Sequence, residues 1–446
     1  MTHTGIIAAI DLGTSKISGV IGRKNENNII SVLAYESLPA EGSIRRGTVY
    51  NIDKAGGIVK KLINLLENKT GKKIAKVYVS LSGQSVYTEE IRENINIPDG
   101  GIVTEKITKQ LRASAEKYKP EFKNNYSVVD VEYFIDGKPE RNPVGVTCSN
   151  IEGVFKVVVG RPNLLTNIKA VIEKNHLKIA DHIISPIASA AVSLEEQDKE
   201  LGCAFIDFGD GTTDLSIYKG GVLRHMVVIP FGGKNVTKDI TELNFIESEA
   251  EQIKKKFGKA KENNEGSLFS SPFSAKPDVD LVELNKVIVF RLDEIVANIR
   301  EQIRLSGYTE QLGAGIIITG GASQLKNIDL YLTQKLGMPV KRVSSKKSLV
   351  NNSPELVADF SMTTCLGMLL IGNQDCEKLF SAETEEPAGN EKSSGKGWGN
   401  IFKEKGKKII EKKEKEKTEP AEDSEKKSGF FGSIFSNMFD DDQYEE

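Results

Sequence analysis

The sequence has few residues of the kinds that form disulfides or bind metals. Its four cysteines, Cys148, Cys203, Cys365 and Cys376, are far apart and include no CxxC pair. This scatter excludes a disulfide framework and a zinc site of the usual spacing. The four histidines are equally dispersed. The pattern is typical of a protein that folds in a reducing, cytoplasmic environment.

Long apolar runs and an excess of one charge sign are also missing. No apolar run approaches the ~18 residues of a membrane-spanning helix, and the start, MTHTGIIAAIDLG, lacks the basic opening of a signal peptide. The 60 basic and 63 acidic residues nearly cancel, which argues against a general nucleic-acid partner. The chain is 39% apolar over 446 residues, which is enough for about three compact units.

The chain has a folded part and a polar end. Before residue 380, short β-branched runs alternate with helical patterns, which predicts an α/β core. One such helix is expected to be capped by Asp53 and to end at Gly71. The arrangement of strands around Asp11 recurs around Asp207. We therefore predict two lobes built on one design.

The predicted boundaries follow the changes of pattern along the chain. The segments are the first lobe (1–83), an inserted α+β subdomain (84–162), more of the first lobe (163–198), the second lobe (199–345) with a helical insertion at about 244–310, a return to the first lobe (346–380), a flexible linker (381–428) with a basic island (396–413), and a tail (429–446). Within the helical insertion, the periodicity predicts helices over 246–257 and 281–306.

The first of four candidate nucleotide motifs follows the first strand. It contains Asp11, Gly13, Thr14, Ser15 and Lys16. A glycine-containing turn lets backbone N–H groups point at a phosphate, and the lysine adds a positive charge. The aspartate could hold Mg²⁺ through water, because this ion keeps much of its hydration shell. Alone, the motif also fits an ordinary hairpin.

The second motif repeats this logic in the second half of the chain. It contains Asp207, Gly209, Gly211, Thr212 and Thr213. Two such loops at equivalent places in a duplicated fold could clamp a phosphate between them. Like its counterpart in the first motif, Asp207 is a candidate to hold Mg²⁺ through water.

The other two motifs could contact the nucleoside. Gly320, Gly321 and Ala322 follow a buried strand, where backbone could pack flat against a base or sugar. Glu251 and Lys254 share one helix face, so a carboxylate could bond ribose hydroxyls while the lysine lies near the base. A plain strand-to-helix turn and a solvated charged face are the alternatives.

In this order the four motifs resemble those of the actin superfamily, over roughly residues 5–375. Within it, the chain is similar to the FtsA family of bacterial division proteins. Two further segments resemble that family: NPVG at 142–145 and the stretch GGVLRHMVVIPFGG. The resemblance implies an actin-like, ribonuclease-H-type duplicated α/β fold that binds ATP and Mg²⁺. It also implies a peripheral protein on the cytoplasmic face of the membrane at the division septum.

The resemblance implies partners as well. Such a protein polymerises with itself and tethers FtsZ filaments, the Z ring, to the cytoplasmic membrane. By resemblance, the C-terminal peptide of FtsZ binds around residues 244–310, and the inserted subdomain recruits later division proteins. No nucleic acid is expected among the partners.

One departure from related ATPases concerns hydrolysis. The resemblance places a Glu or Gln immediately before Pro186, where it orients the attacking water, but Ser185 occupies this position. Serine is shorter and cannot act as a general base. We therefore expect tight ATP binding with slow hydrolysis at most. Asp210 adds a carboxylate near the phosphates, and the sequence leaves its effect on Mg²⁺ open.

Apolar residues return at the end of the chain. Those that form or flank one stripe of a helix are Phe430, Phe431, Ile434, Phe435, Met438 and Phe439. They favour binding at a membrane interface, with a disordered tip or a partner-binding peptide as the alternative. Family tails usually carry basic residues here, whereas this one ends in acidic residues from Asp440 onwards.

A second group of candidate membrane residues lies upstream of the tail. Trp398 and Phe402 lie in the lysine-rich basic island, which fits an interfacial helix and a solvated linker equally well. Two further functions stay open: a soluble ATP-binding scaffold of the pilus-assembly type and a sugar-kinase-like phosphotransferase. The kinase requires an aspartate base that the sequence does not identify. The amphipathic tail favours the adaptor over the scaffold.

Overall fold

The computed structural model describes residues 5–261 and 280–378, all within one compact unit, Met1–Ser381. A second unit, Ala382–Glu446, lies outside the described residues. The predictions for the linker, the basic island and the tail therefore concern residues that the structure does not describe. Each helix in the described ranges is too short or too polar to span a bilayer.

The described residues form strands and helices in alternation. The strands are β1 (Ile7–Leu12), β2 (Lys16–Lys24), β3 (Ile30–Pro39), β4 (Ile44–Arg45), β5 (Thr48–Val49), β6 (Lys76–Leu81), β7 (Tyr87–Asn96), β8 (Asn124–Ile135), β9 (Lys138–Glu140), β10 (Asn150–Gly160), β11 (Lys178–Ile184), β12 (Cys203–Phe208), β13 (Thr213–Lys219), β14 (Val222–Ile229), β15 (Ile316–Thr319) and β16 (Val340–Arg342). The helices are α1 (Ile52–Thr70), α2 (Glu105–Glu116), α3 (Asn163–Glu173), α4 (Ser185–Ser193), α5 (Glu196–Leu201), α6 (Gly233–Thr241), α7 (Glu247–Phe257), α8 (Leu281–Ser306), α9 (Ile328–Leu336), α10 (Pro354–Ala358) and α11 (Thr363–Ile371).

Two sheets share one local design, as the sequence predicts. In the first sheet, of order β11-β6-β1-β2-β3, strand β1 is antiparallel to β2 and parallel to β6. In the second, β12 is antiparallel to β13 and parallel to β15. Asp11 on β1 and Asp207 on β12 therefore occupy equivalent places. The α/β class and the duplication are confirmed.

Residues 84–162 extend the second sheet, which the sequence did not indicate. The full order is β16-β15-β12-β13-β14-β7-β10-β8-β9, joined where Val227 of β14 pairs with Tyr87 of β7. Helix α2 packs against these added strands, and Leu111 and Phe155 belong to a separate buried cluster there. The predicted α+β character is thus present, with its strands added edge to edge to those of the second lobe.

The helix predictions hold, with one correction at a cap. Helices α7 and α8 begin and end within one residue of the predicted ranges 246–257 and 281–306. Helix α1 ends at Gly71 as predicted, but its N-cap is Asn51. The side-chain oxygen of Asn51 accepts from Lys54 N at 2.9 Å, whereas Asp53 lies inside the first turn. The carboxylate of Asp53 in the first turn still interacts favourably with the positive N-terminal end of the helix dipole.

Candidate functional site

A cleft of about 620 Å³ brings all four predicted motifs together. The predicted residues that line it are Asp11, Gly13, Thr14, Ser15, Lys16, Ser185, Asp207, Gly209, Gly211, Thr212, Glu251, Lys254, Gly320, Gly321 and Ala322. They come from the β1–β2 turn, the β12–β13 turn, the segment after β15, and helices α4 and α7. Both lobes therefore contribute to one site.

The two glycine-containing turns close their hairpins in the same way. Leu12 pairs with Ile17 in the first hairpin and Phe208 pairs with Thr213 in the second, so four residues form each turn. At the end of the first turn, where β2 begins, Lys16 Nζ donates to Ser361 Oγ at 2.7 Å, and only part of its side chain is exposed. The ammonium group is thus held at the cleft wall.

Thr213 is the one predicted nucleotide residue that the structure does not bring to the cleft. Its side chain is fully buried, and its hydroxyl donates to the carbonyl oxygen of Phe231 at 2.8 Å. Successive residues of a strand point to opposite faces, so Asp214, the next residue of β13, lines the cleft and Thr213 does not.

Glu251 and Lys254 lie on one face of α7 and form an ion pair of 2.6 Å. Lys254 Nζ also donates to Gly233 O at 2.8 Å and to Thr237 Oγ1 at 2.7 Å. Although burial alone would raise it, the neighbouring ammonium holds the pKa of Glu251 below its ordinary value. The carboxylate is therefore an ionised acceptor at the cleft edge.

Three aspartates are buried at the floor of the cleft. Burial raises the pKa of Asp11, raises that of Asp207 to about 6, and raises that of Asp214 to about 7, with the charge of Asp207 adding to the last. Serine hydroxyls donate to two of the three: Ser189 Oγ to Asp207 at 2.7 Å, and Ser82 Oγ to Asp214 at 3.2 Å. The ionised carboxylates would be stabilised by a cation.

Asp214 is a site residue that sequence reasoning missed, although a signal was present. It pairs directly with Asp207 across the β12–β13 hairpin. A four-residue turn after Phe208 fixes this register, so the sequence alone could have placed the two acids opposite each other. Like charges at such positions destabilise a sheet unless a ligand offsets them. Asp210 also lines the cleft, and burial raises its pKa.

Ser185 occupies the position where the family resemblance led us to expect a Glu or Gln. It is the first residue of α4, is buried, and lines the cleft. Ser189, one turn later on the same helix, bonds Asp207. This helix therefore supplies hydroxyls to the site and no carboxylate or amide at the position in question.

Comparison with known proteins identifies similar chains. A family model described as cell division protein FtsA matches residues 204–367. The cell division protein FtsA of Porphyromonas gingivalis is 33% identical over 341 residues, covering 74% of this chain and 71% of that one. The protein of the same name from Neisseria meningitidis is 29% identical over 75% of this chain and 83% of its own.

A solved structure has a fold similar to that of this chain. The PilM–PilN type IV pilus biogenesis complex aligns with a TM-score of 0.58 and 18% identity, covering 82% of this chain and 97% of that chain. The described residues have the actin-like α/β fold that the sequence predicts.

Proposed function

The chain belongs to the FtsA family of cell division proteins, and on that premise we propose that it is an ATP-binding adaptor that tethers FtsZ filaments to the cytoplasmic membrane. The observation that carries the ATP-binding part is the cleft in which all four motifs meet. Family membership does not favour the pilus-assembly scaffold or the sugar kinase.

The nucleotide is proposed to lie with its phosphates between the two glycine-containing turns. Backbone N–H groups of the turns would bond phosphate oxygens, and Lys16 would add charge from the cleft wall. Glu251 would accept from ribose hydroxyls, since the pKa of this carboxyl group is held low. The segment Gly320, Gly321 and Ala322 would pack against the nucleoside.

Mg²⁺ would accompany the nucleotide and offset the phosphate charge. Asp11 and Asp207 would hold it through water, which fits two buried carboxyl groups whose pKa values burial has raised. In the part of the chain that the structure describes, no three acidic, histidine or cysteine side chains are grouped closely enough to hold an ion directly. Ligation through water is consistent with that spacing.

Hydrolysis by this site is expected to be slow. Since Ser185 cannot act as a general base, we expect a turnover below about 1 s⁻¹, the low end of typical enzyme rates. Phosphate release from the full chain with excess ATP and Mg²⁺ measures it. Ser185→Glu, which restores a carboxylate at the cleft wall, should raise the rate. Fast turnover of the unchanged chain would contradict the prediction.

The remaining parts of the proposed function rest on the family and on sequence patterns. The membrane residues (Phe430, Phe431, Ile434, Phe435, Met438, Phe439, Trp398 and Phe402) lie outside the described residues. We propose that they hold the chain at the cytoplasmic face of the membrane, at the septum. Self-association into a polymer, contact of the FtsZ C-terminal peptide with residues 244–310, and recruitment of later division proteins by residues 84–162 complete the proposal.

Vesicle sedimentation tests the tether. With ATP and Mg²⁺, the full chain should pellet with anionic vesicles and bring FtsZ with it, while a chain ending at Ser428 should leave both in the supernatant. Pelleting of both chains would place the binding upstream of Ser428, in the basic island or on the folded body. If neither pellets, the adaptor function is wrong and a soluble ATP-binding scaffold is the better account.

A further inference from the structure

A second cavity, of about 590 Å³, lies on the first lobe. Its walls are helix α1, the segment between α3 and β11, the residues before β6, and Lys378. Among the described residues, none lines both this cavity and the nucleotide cleft. The proposed ATP site therefore does not account for it.

Lysine dominates the wall of this cavity. The five lysines are Lys60, Lys73, Lys174, Lys178 and Lys378, and the one acidic residue lining it is Glu67. We call this the lysine cavity. All five lysines are exposed, so their ammonium groups are accessible from solvent.

The acid in the cavity wall is already occupied. Glu67 accepts from Lys73 Nζ at 2.6 Å and from Ile74 N at 2.9 Å. Lys174 pairs with Asp53 on α1. The other three, Lys60, Lys178 and Lys378, form no ion pair with another described residue. Three unpaired cations around one concave surface create a positive potential that an anion would relieve.

We propose that the lysine cavity binds the phosphate of an anionic phospholipid headgroup. Lysine suits this role because its ammonium group is a point charge with three donors for phosphate oxygens. The inference rests on the proposed membrane function, and it adds a binding site on the folded body to the predicted apolar anchor.

The position of the cavity in the chain favours a lipid over a free phosphate. Lys378, which lines it, lies near the end of the first unit, Met1–Ser381, so in the sequence the predicted linker to the apolar tail begins close to the cavity. Insertion of the tail into a membrane would hold the folded body nearby and so raise the effective concentration of lipid headgroups at the lysine cavity. The tail also ends in acidic residues from Asp440 onwards, so the electrostatic attraction has to come from another part of the chain.

The test removes the three unpaired charges from the full chain. The combined variant Lys60→Gln, Lys178→Gln and Lys378→Gln should bind phosphatidylglycerol vesicles about a hundredfold more weakly at low salt. Binding to phosphatidylcholine vesicles should not change. The matched control is Lys106→Gln, Lys117→Gln and Lys138→Gln, which removes three exposed charges from the inserted subdomain. The control should bind as the unchanged chain does.

Several outcomes would overturn the proposal. Equal losses in both triple variants would mean that only net charge matters, and no loss in either would leave binding to the tail alone. Stronger vesicle binding by the cavity variant would indicate that the acidic chain end occupies the cavity instead. If inorganic phosphate binds the cavity as tightly as the headgroup does, and the cavity variant still binds vesicles normally, the ligand of the cavity is a free anion and not a lipid.

A soluble probe separates this inference from the tether itself. Monomeric dihexanoyl phosphatidylglycerol, followed by calorimetry, needs no tail insertion. If the full chain fails to bind vesicles, the adaptor function is wrong. The lysine cavity would still be supported if the unchanged chain binds the soluble lipid and the cavity variant does not. Failure of the unchanged chain to bind the soluble lipid would overturn the inference by itself.

Discussion

Replacing Gly320 with alanine should lower ATP affinity at least about a hundredfold and destabilise the fold by about 2–5 kcal/mol. This glycine has φ of +89° and ψ of 163°, a backbone conformation almost restricted to glycine that costs other residues about 1–3 kcal/mol. A Cβ there would lie 2.3 Å from Asp207 Oδ1 and 2.4 Å from the carbonyl oxygen of Phe208. The second contact is with backbone of β12, so relieving it displaces Asp207 and the turn that follows.

The control is a glycine of positive φ at which an added Cβ meets no backbone of the cleft. Gly337 also has a positive φ, +71°, in the left-handed region with ψ of 17°, and apart from its chain neighbours none of the described residues has an atom within 4 Å of a Cβ built there. Gly337→Ala should therefore cost about 1–2 kcal/mol and leave ATP affinity unchanged. Denaturant unfolding gives the stabilities, and titration with a fluorescent ATP analogue gives the affinities. Equal affinities for the two variants would contradict the geometry of the site.

Local patterns made the sequence informative where neighbouring residues decide the structure. Helices α7 and α8 were predicted to within a residue because their apolar spacing is regular and each has a clear end. The recurrence of an aspartate and a glycine turn at Asp11 and Asp207 indicated the duplication, which the two sheets confirm. Most of the cleft followed, since its motifs are short and contiguous.

Contacts between distant segments were harder to predict. The pairing of Val227 with Tyr87 joins the inserted strands to the second lobe, and nothing local to either residue specifies it. The lysine cavity likewise combines α1, the segment after α3 and Lys378, which are far apart in the chain. At the cap of α1, Asn51 and Asp53 are both good capping residues, and the chain geometry before the helix decided between them.

Raising the pH from about 5 to 8 should destabilise the nucleotide-free chain through the aspartates at the floor of the cleft. Burial raises the pKa of Asp214 from 3.8 to about 7 and that of Asp207 to about 6. Between the unfolded and folded pKa values, the folded state holds protons that the unfolded state has released. Stability is therefore lost as the pH rises through the folded values.

One other buried group acts in the opposite direction at lower pH. Burial lowers the pKa of His225, so below about pH 6.5 the unfolded state binds the proton that the folded state excludes. Its contribution to stability increases as the pH rises toward that value. Comparison of the unchanged chain with an Asp214 variant cancels this contribution and leaves that of the carboxylate.

Asp214→Asn should stabilise the nucleotide-free chain at pH 8 and reduce the pH dependence. The rise in the pKa of Asp214 from 3.8 to about 7 corresponds to a stabilisation of the variant by about 4 kcal/mol at pH 8. This is an upper bound, because in the unchanged chain the neighbouring Asp207 can take up the proton instead. Glu121→Gln, which removes an exposed charge from a turn, is the control and should change stability little. Denaturant unfolding at several pH values measures all three chains.

The same variant should reverse its effect when ATP and Mg²⁺ are present. A cation near the three carboxylates favours their ionised forms, so the repulsion that destabilises the nucleotide-free cleft becomes attraction to the ion. The unchanged chain should therefore gain more stability from ATP with Mg²⁺ at pH 8 than Asp214→Asn does. If both gain equally, and the nucleotide-free chain is most stable at pH 8, the aspartates at the cleft floor do not serve the nucleotide site.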